Sequence, residues 1–202
     1  MKVIKYLNSN KNIVDEMLCS KIIASNCKVE SISSQKDDVY FKMTETIATL
    51  SKDKNTQVGA VIIDADGKVV SMGYNGCPSK FGVHRNKDCS IVPYTRDEEK
   101  ISLVNTYDEL GVSKKDYKYN KYPFMIHSEQ NAIMTASDRN RLVGATLYCT
   151  HYPCTVCTNL IAQVGIKTVK VMDNKHGKFE ETIVPTLFVY ENMGIDLYVY
   201  FK

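Results

Sequence analysis

The chain has 202 residues, 44% hydrophobic and 24% charged, with a net charge of +3. That fits one globular domain with room for an appendage and excludes a mostly disordered chain. No apolar run approaches the roughly 18 residues of a membrane helix, and so small a charge argues against nucleic acid as the main partner.

Residues 1–38 are polar, rich in Lys, Asn and Ser, and free of Gly. Val14, Leu18, Ile22 and Ile23 roughly follow helical spacing, so a helix is expected between residues 12 and 24, followed by a loop at SSQKDD. This segment reads as an N-terminal extension, helical or partly flexible, ahead of a domain spanning 39–202. In that domain VYFKMTETIATLSK predicts a helix capped by Asp38, with Phe41, Thr44, Ile47 and Leu50 on one face. QVGAVIID is β-branched and strand-like, DADG is a turn, and GKVVSMGYN returns antiparallel as the second arm of a hairpin. Residues 79–126 lack clear periodicity and are long for a connection. After them helix and strand alternate: SEQNAIMTASD helical, ATLYCT a strand, CTVCTNLIAQV a helix ended by Gly165, KTVKVMD a strand, a helix near 180–193 ended by Gly194, then the strand IDLYVYF. Alternation of this kind predicts a layered α/β domain of five strands and about four helices, with several strands parallel.

Seven cysteines are present: Cys19, Cys27, Cys77, Cys89, Cys149, Cys154 and Cys157. The start of the chain has no apolar stretch and no small-residue cleavage site, so a reducing, cytoplasmic setting is expected. The cysteines then read as buried thiols, metal ligands or reactive groups. Two groups stand out: His127-Ser128-Glu129, and Pro153-Cys154-Thr155-Val156-Cys157. An imidazole with two thiolates suits Zn²⁺, and two cysteines three apart at a helix start lie on one turn, where the positive end of the helix favours thiolates. His127, Cys154 and Cys157 are three ligands, and no fourth Cys or His follows at short spacing. An open fourth position holds water and lowers its pKa toward about 7. Glu129, two residues from His127, can then move a proton without ligating the metal. H-x-E followed by P-C-x-x-C is the signature of zinc nucleobase deaminases. Either half alone is a common accident of core histidines and buried thiols; both in order, each opening a helix and separated by a strand, are not.

At these residues the chain resembles the deoxycytidylate deaminase branch of the cytidine deaminase-like superfamily. The resemblance spans about residues 39–200, in SKDKNTQVGAVIID, GYNGCP, YPFMIHSEQNAIM, GATLYCTHYPCTVC and LIAQVGIKTV, with IVPYTR similar to a VLPW-x-R stretch. It implies a three-layer α/β/α fold around a five-stranded mixed sheet. It implies zinc-dependent hydrolysis of dCMP to dUMP and ammonia, supplying thymidylate synthesis. It also implies a homohexamer activated by dCTP and inhibited by dTTP. By the same resemblance Gly73, Tyr74, Asn75 and Gly76 belong to an effector site at a subunit interface, and Asn55 holds the sugar hydroxyl.

The sequence departs from the family pattern in several places. Ser128 stands where Ala is usual, a small-for-small change expected to be harmless. Leu50 and Lys54 replace an Arg and a Pro before the first strand, leaving Lys52, Lys54 or Arg96 to bind the phosphate. His176 replaces a Tyr. Cys77, His84 and Cys89 could make a second zinc site, but a full four-ligand spacing is missing and ordinary loop residues are the simpler reading. His151 lines the pocket or is structural, and Cys149 reads as core packing. Two other functions compete. A related deaminase could act on dCTP, a nucleoside or a tRNA base, though a tRNA enzyme should carry a basic stripe that this chain lacks. A non-catalytic zinc module predicts loss of the glutamate, yet Glu129 is present. The expected partners are therefore a small nucleotide and further copies of the chain, with neither membrane nor nucleic acid.

Overall fold

A computed structural model of the chain describes residues 34–53, 56–76, 78, 84–85, 91–92, 125–172 and 179–200. The helix expected between 12 and 24 lies outside the described residues.

The first helix, α1, runs Gln35–Ala48. Its cap is Ser34 rather than Asp38: the Ser34 hydroxyl accepts the Asp37 amide at 3.1 Å. Asp38 instead accepts the Tyr200 hydroxyl at 2.6 Å, across from the last strand. The buried face is Asp37, Phe41, Thr44 and Ala48, while Leu50 lies beyond the end of the helix and is exposed. The expected helix was therefore placed too late. An aspartate drawn inward by tertiary partners left the capping to the serine before it.

The hairpin forms as expected. β1 (Gly59–Ile63) pairs antiparallel with β2 (Val69–Tyr74), and Gly67 takes φ 80° in the DADG turn, a conformation a side chain disfavours. Two short antiparallel strands, β3 (His84–Arg85) and β4 (Ile91–Val92), form a separate small sheet. Then come α2 (Ser128–Thr135), a 3₁₀ turn at Arg139–Leu142 that the sequence reading did not anticipate, β5 (Thr146–Cys149) and α3 (Thr155–Gln163). β6 (Thr168–Met172), α4 (Phe179–Met193) and β7 (Asp196–Tyr200) complete the order.

The main sheet has the order β2-β1-β5-β6-β7. β1 is antiparallel to both neighbours, while β5, β6 and β7 run parallel, as helix-linked strands must. The sheet is thus mixed, with helices on both faces. Alternation along each strand divides the core. Ala60, Ile62, Leu147, Cys149, Val169, Val171, Leu197 and Val199 pack with Ala132, Ile161, Leu187 and Tyr190 of α2, α3 and α4. Val61, Ile63, Tyr148 and Met172 face the other way and pack with Phe41 of α1. There Phe41 lies edge-on to Tyr148 and stacked on Tyr200, with ring centroids 5.2 and 4.5 Å away. The result is the expected three-layer α/β/α arrangement. Among the described residues, no helix is long and apolar enough to cross a membrane.

Candidate metal and catalytic site

The site lies beyond the end of β5, where two helix starts meet. α2 begins after His127, and the Gln130 side chain accepts the His127 amide at 2.9 Å, tying down the entry of the helix. α3 begins after Cys154, so Cys154 and Cys157 occupy its first turn, which the Thr158 amide closes on the Cys154 carbonyl at 2.8 Å. The connecting loop is held to the sheet by Thr150: its hydroxyl accepts the Gly59 amide at 3.1 Å, and its amide donates to the Gly59 carbonyl at 3.1 Å.

His127 Nδ1 lies 3.5 Å from Cys154 Sγ and 3.4 Å from Cys157 Sγ, and the three donor atoms are all within 4.8 Å of one another. Tetrahedral zinc at its usual bond lengths separates a nitrogen from a sulfur ligand by about 3.6 Å. One imidazole and two thiols at that separation fit zinc. Among the described residues no other three His, Cys, Asp or Glu gather in this way.

The electrostatics agree with a thiolate–imidazolium pair. A hydrogen bond from Cys157, and then His127, pulls the Cys154 thiol down to about 4 despite burial. Cys157, which donates that bond and is buried, is pushed well up. The hydrogen bond with Cys154, and next the charge of Glu129, raise His127. A metal ion displaces these protons when it binds, because it takes thiolates and neutral imidazole.

Glu129 is buried at 4% exposure beside this cluster. Burial raises its carboxyl, while the charge on His127 partly offsets this. Its Oε2 accepts the Ser128 hydroxyl at 3.0 Å. A buried carboxyl drawn toward neutrality suits a group that both accepts and returns a proton.

The other expected site residues fall in different places. Gly73 sits where β2 meets α2: a Cβ there would overlap the Ser128 carbonyl oxygen and the Ala132 amide nitrogen. Tyr74 is exposed on the edge strand. Asn75 is buried, accepting the Val58 amide at 2.8 Å and donating to the Thr56 carbonyl at 2.9 Å, while its own carbonyl accepts the Ser51 hydroxyl at 2.8 Å. It stitches the α1–β1 loop to the end of β2. Gly76 pairs with Ile126 just ahead of His127. Asn55, Arg96, Cys77, Cys89, His176 and the His84 side chain lie outside the described residues.

Two residues had more to say than the sequence reading allowed. Ser128, a small residue in a small residue's place, and Cys149, a core thiol, are joined in the structure, with Ser128 Oγ 3.7 Å from Cys149 Sγ. Cys149 does lie in the core, as expected. The one sequence signal was a hydroxyl in a position flanked by the metal histidine and the glutamate.

Residues 34–173 match the family described as the cytidine and deoxycytidylate deaminase zinc-binding region. The deoxycytidylate deaminase of Homo sapiens is 34% identical over 170 residues, covering 79% of this chain and 82% of its own. That of Mycobacterium phage D29 is 35% identical over 133 residues, 65% of this chain and 91% of its own. The crystal structure of the dCMP deaminase from cyanophage S-TIM5 in complex with dCMP and dUMP superposes with a TM-score of 0.54 at 25% identity, covering 83% of this chain and 98% of that one. By a match that runs through most of its length, the chain belongs to the cytidine and deoxycytidylate deaminase family.

Proposed function

We propose that the protein hydrolyses dCMP to dUMP and ammonia, with Zn²⁺ held by His127, Cys154 and Cys157. The observation that carries this reading is a buried carboxylate, Glu129, placed against a three-donor cluster whose spacing fits a metal with an open position. Zinc, when bound, lowers the pKa of a water at that position and stabilises negative charge developing on its oxygen. Glu129 takes a proton from the attacking water as the oxygen bonds to C4 of the cytosine ring. Glu129 then delivers that proton to ring N3, takes the second proton from the new C4 hydroxyl, and passes it to the amino group as the C4–N bond breaks, C4=O forms and ammonia leaves.

The nucleotide preference is supported by relatives named deoxycytidylate deaminase and by a structural neighbour crystallised with dCMP and dUMP. In this reading Asn55 binds the sugar and Arg96 the phosphate. Further, dCTP and dTTP act as effectors in a cytoplasmic homohexamer. Of the four residues assigned to the effector site, exposed Tyr74 offers the contact surface, while Gly73, Asn75 and Gly76 shape the backbone beneath it.

An ammonia-release assay on the zinc-loaded protein with dCMP, dCTP, deoxycytidine and cytidine, each with and without dCTP or dTTP, tests the reading. The expected result is turnover of dCMP far above deoxycytidine, abolished by Glu129→Gln with zinc retained. Equal kcat/KM for dCMP and deoxycytidine would remove the nucleotide preference.

A further inference from the structure

Ser128 is the first residue of α2 and is 0% exposed. A hydroxyl removed from water has to be satisfied by protein groups, because leaving it unpaired is costly. Its Oγ has two neighbours. One is Glu129 Oε2 at 3.0 Å; the other is Cys149 Sγ at 3.7 Å, on β5. Consecutive helical residues do not ordinarily face each other. Here both are buried where α2 packs against the sheet, and their side chains touch.

The direction of donation follows from the chemistry. The Ser128 hydroxyl has one proton and donates it to Glu129 Oε2, which leaves its lone pairs for the thiol. Cys149 is 0% exposed among apolar neighbours and is a neutral thiol, so its S–H is free to point at Ser128 Oγ. The chain of contacts runs from the sheet to the carboxylate: Cys149 to Ser128 to Glu129. It occupies one carboxylate oxygen, Oε2.

We propose that Ser128 is a positioning residue that fixes the Glu129 carboxylate plane by anchoring Oε2 to β5 through Cys149. The proposal rests on the deaminase reading above and deepens it. A carboxylate turning about its own bond presents its free oxygen correctly only part of the time, and small misplacements of a reacting group are expensive in rate. Removing one partner of a buried hydrogen bond leaves the other unsatisfied, so its loss is expected to be measurable.

The test compares Ser128→Ala, Glu129→Gln and the double variant as zinc-loaded proteins on dCMP. Ser128→Ala is expected to lower kcat by about tenfold or more with KM unchanged. Zinc content and Tm should stay at the wild-type level. In the Glu129→Gln background, Ser128→Ala should cost nothing further. The carboxyl stretch of Glu129, read in the metal-free protein as an infrared difference against Glu129→Gln, should move in Ser128→Ala. A wild-type kcat in Ser128→Ala, or a kcat loss that tracks lost zinc or a lowered Tm, overturns the proposal. Undiminished turnover by Glu129→Gln overturns the role of Glu129 itself and takes the proposal with it. A dead Glu129→Gln beside a fully active Ser128→Ala overturns the positioning role alone.

Discussion

At Gly73 the edge strand comes so close to α2 that no side chain fits between them. A Cβ at that position would overlap backbone atoms of Ser128 and Ala132, and backbone cannot turn aside as a flexible side chain can. This contact sets how near α2, and with it Glu129, lies to the sheet. Gly73→Ala is therefore expected to cost about 1–3 kcal/mol. That should lower Tm by roughly 2–4 °C per kcal/mol for a chain of this size. Deamination should fall as well, because the helix carrying the carboxylate has to shift. Thermal denaturation and the ammonia assay on the same preparation check both; an unchanged Tm would show that the two elements can separate freely. Asn75 makes a related point. Its side chain is occupied by the backbone at Thr56 and Val58, so its replacement should be felt first in the loop.

Beside the packing of Phe41 and the Asp38–Tyr200 bond, one buried carboxylate ties helix α1 to the sheet. Asp37 accepts the Tyr148 hydroxyl at 2.6 Å, Lys170 Nζ at 2.8 Å and the Ser34 hydroxyl at 2.5 Å. Burial alone would raise its carboxyl, but the hydrogen bonds from Lys170, Ser34 and Tyr148 together hold it below the ordinary value. A carboxylate depressed on folding contributes stability that is present above its unfolded pKa of about 3.9 and is lost as pH falls through the lower folded value. Asp37→Asn is expected to cost about 2 kcal/mol at neutral pH, since it leaves Lys170 without its partner in a largely buried place. The difference in Tm between Asp37→Asn and the parent chain should be constant from pH 5 to 7, on the order of several degrees, and shrink below about pH 4. A difference that does not change with pH would mean that Asp37 acts through shape rather than charge.

For the molecule as a whole, the metal cluster joins α2 to α3 above one sheet, so an ion there cross-links elements contributed by separate parts of the chain. Whatever binds only the folded state stabilises it by mass action. At free zinc a thousandfold above Kd this amounts to about 4 kcal/mol, or on the order of 10 °C in Tm. Chelation should lower Tm by that amount, and added zinc should restore it. Cys154→Ala should melt at the chelated value with or without zinc. A chelator-insensitive parent chain would argue against a metal held by His127, Cys154 and Cys157.

Much of this was legible in the amino-acid order because it depends on local periodicity and spacing. The hairpin around DADG, the alternation from residue 128 onward and the helix endings at Gly165 and Gly194 are short-range patterns, and they formed where expected. The metal donors were legible for the same reason: Cys154 and Cys157 share one helical turn, and His127 and Glu129 flank one helix start. The start of α1 falls earlier than local spacing suggests because Asp38, the expected cap, is taken by the Tyr200 hydroxyl from far along the chain, while Ser34 caps the helix at the Asp37 amide. The same limit hid the part played by Ser128. A serine between a histidine and a glutamate reads as a small spacer, and only when β5 brings Cys149 against it does the hydroxyl acquire two partners. The sequence by itself determined the layered fold and the chemistry of the donors, since both follow from residue types at short spacing. Tertiary structure alone decided the distances, the burial of Glu129 and the contacts that hold its carboxylate, because these come from packing between elements remote in the chain.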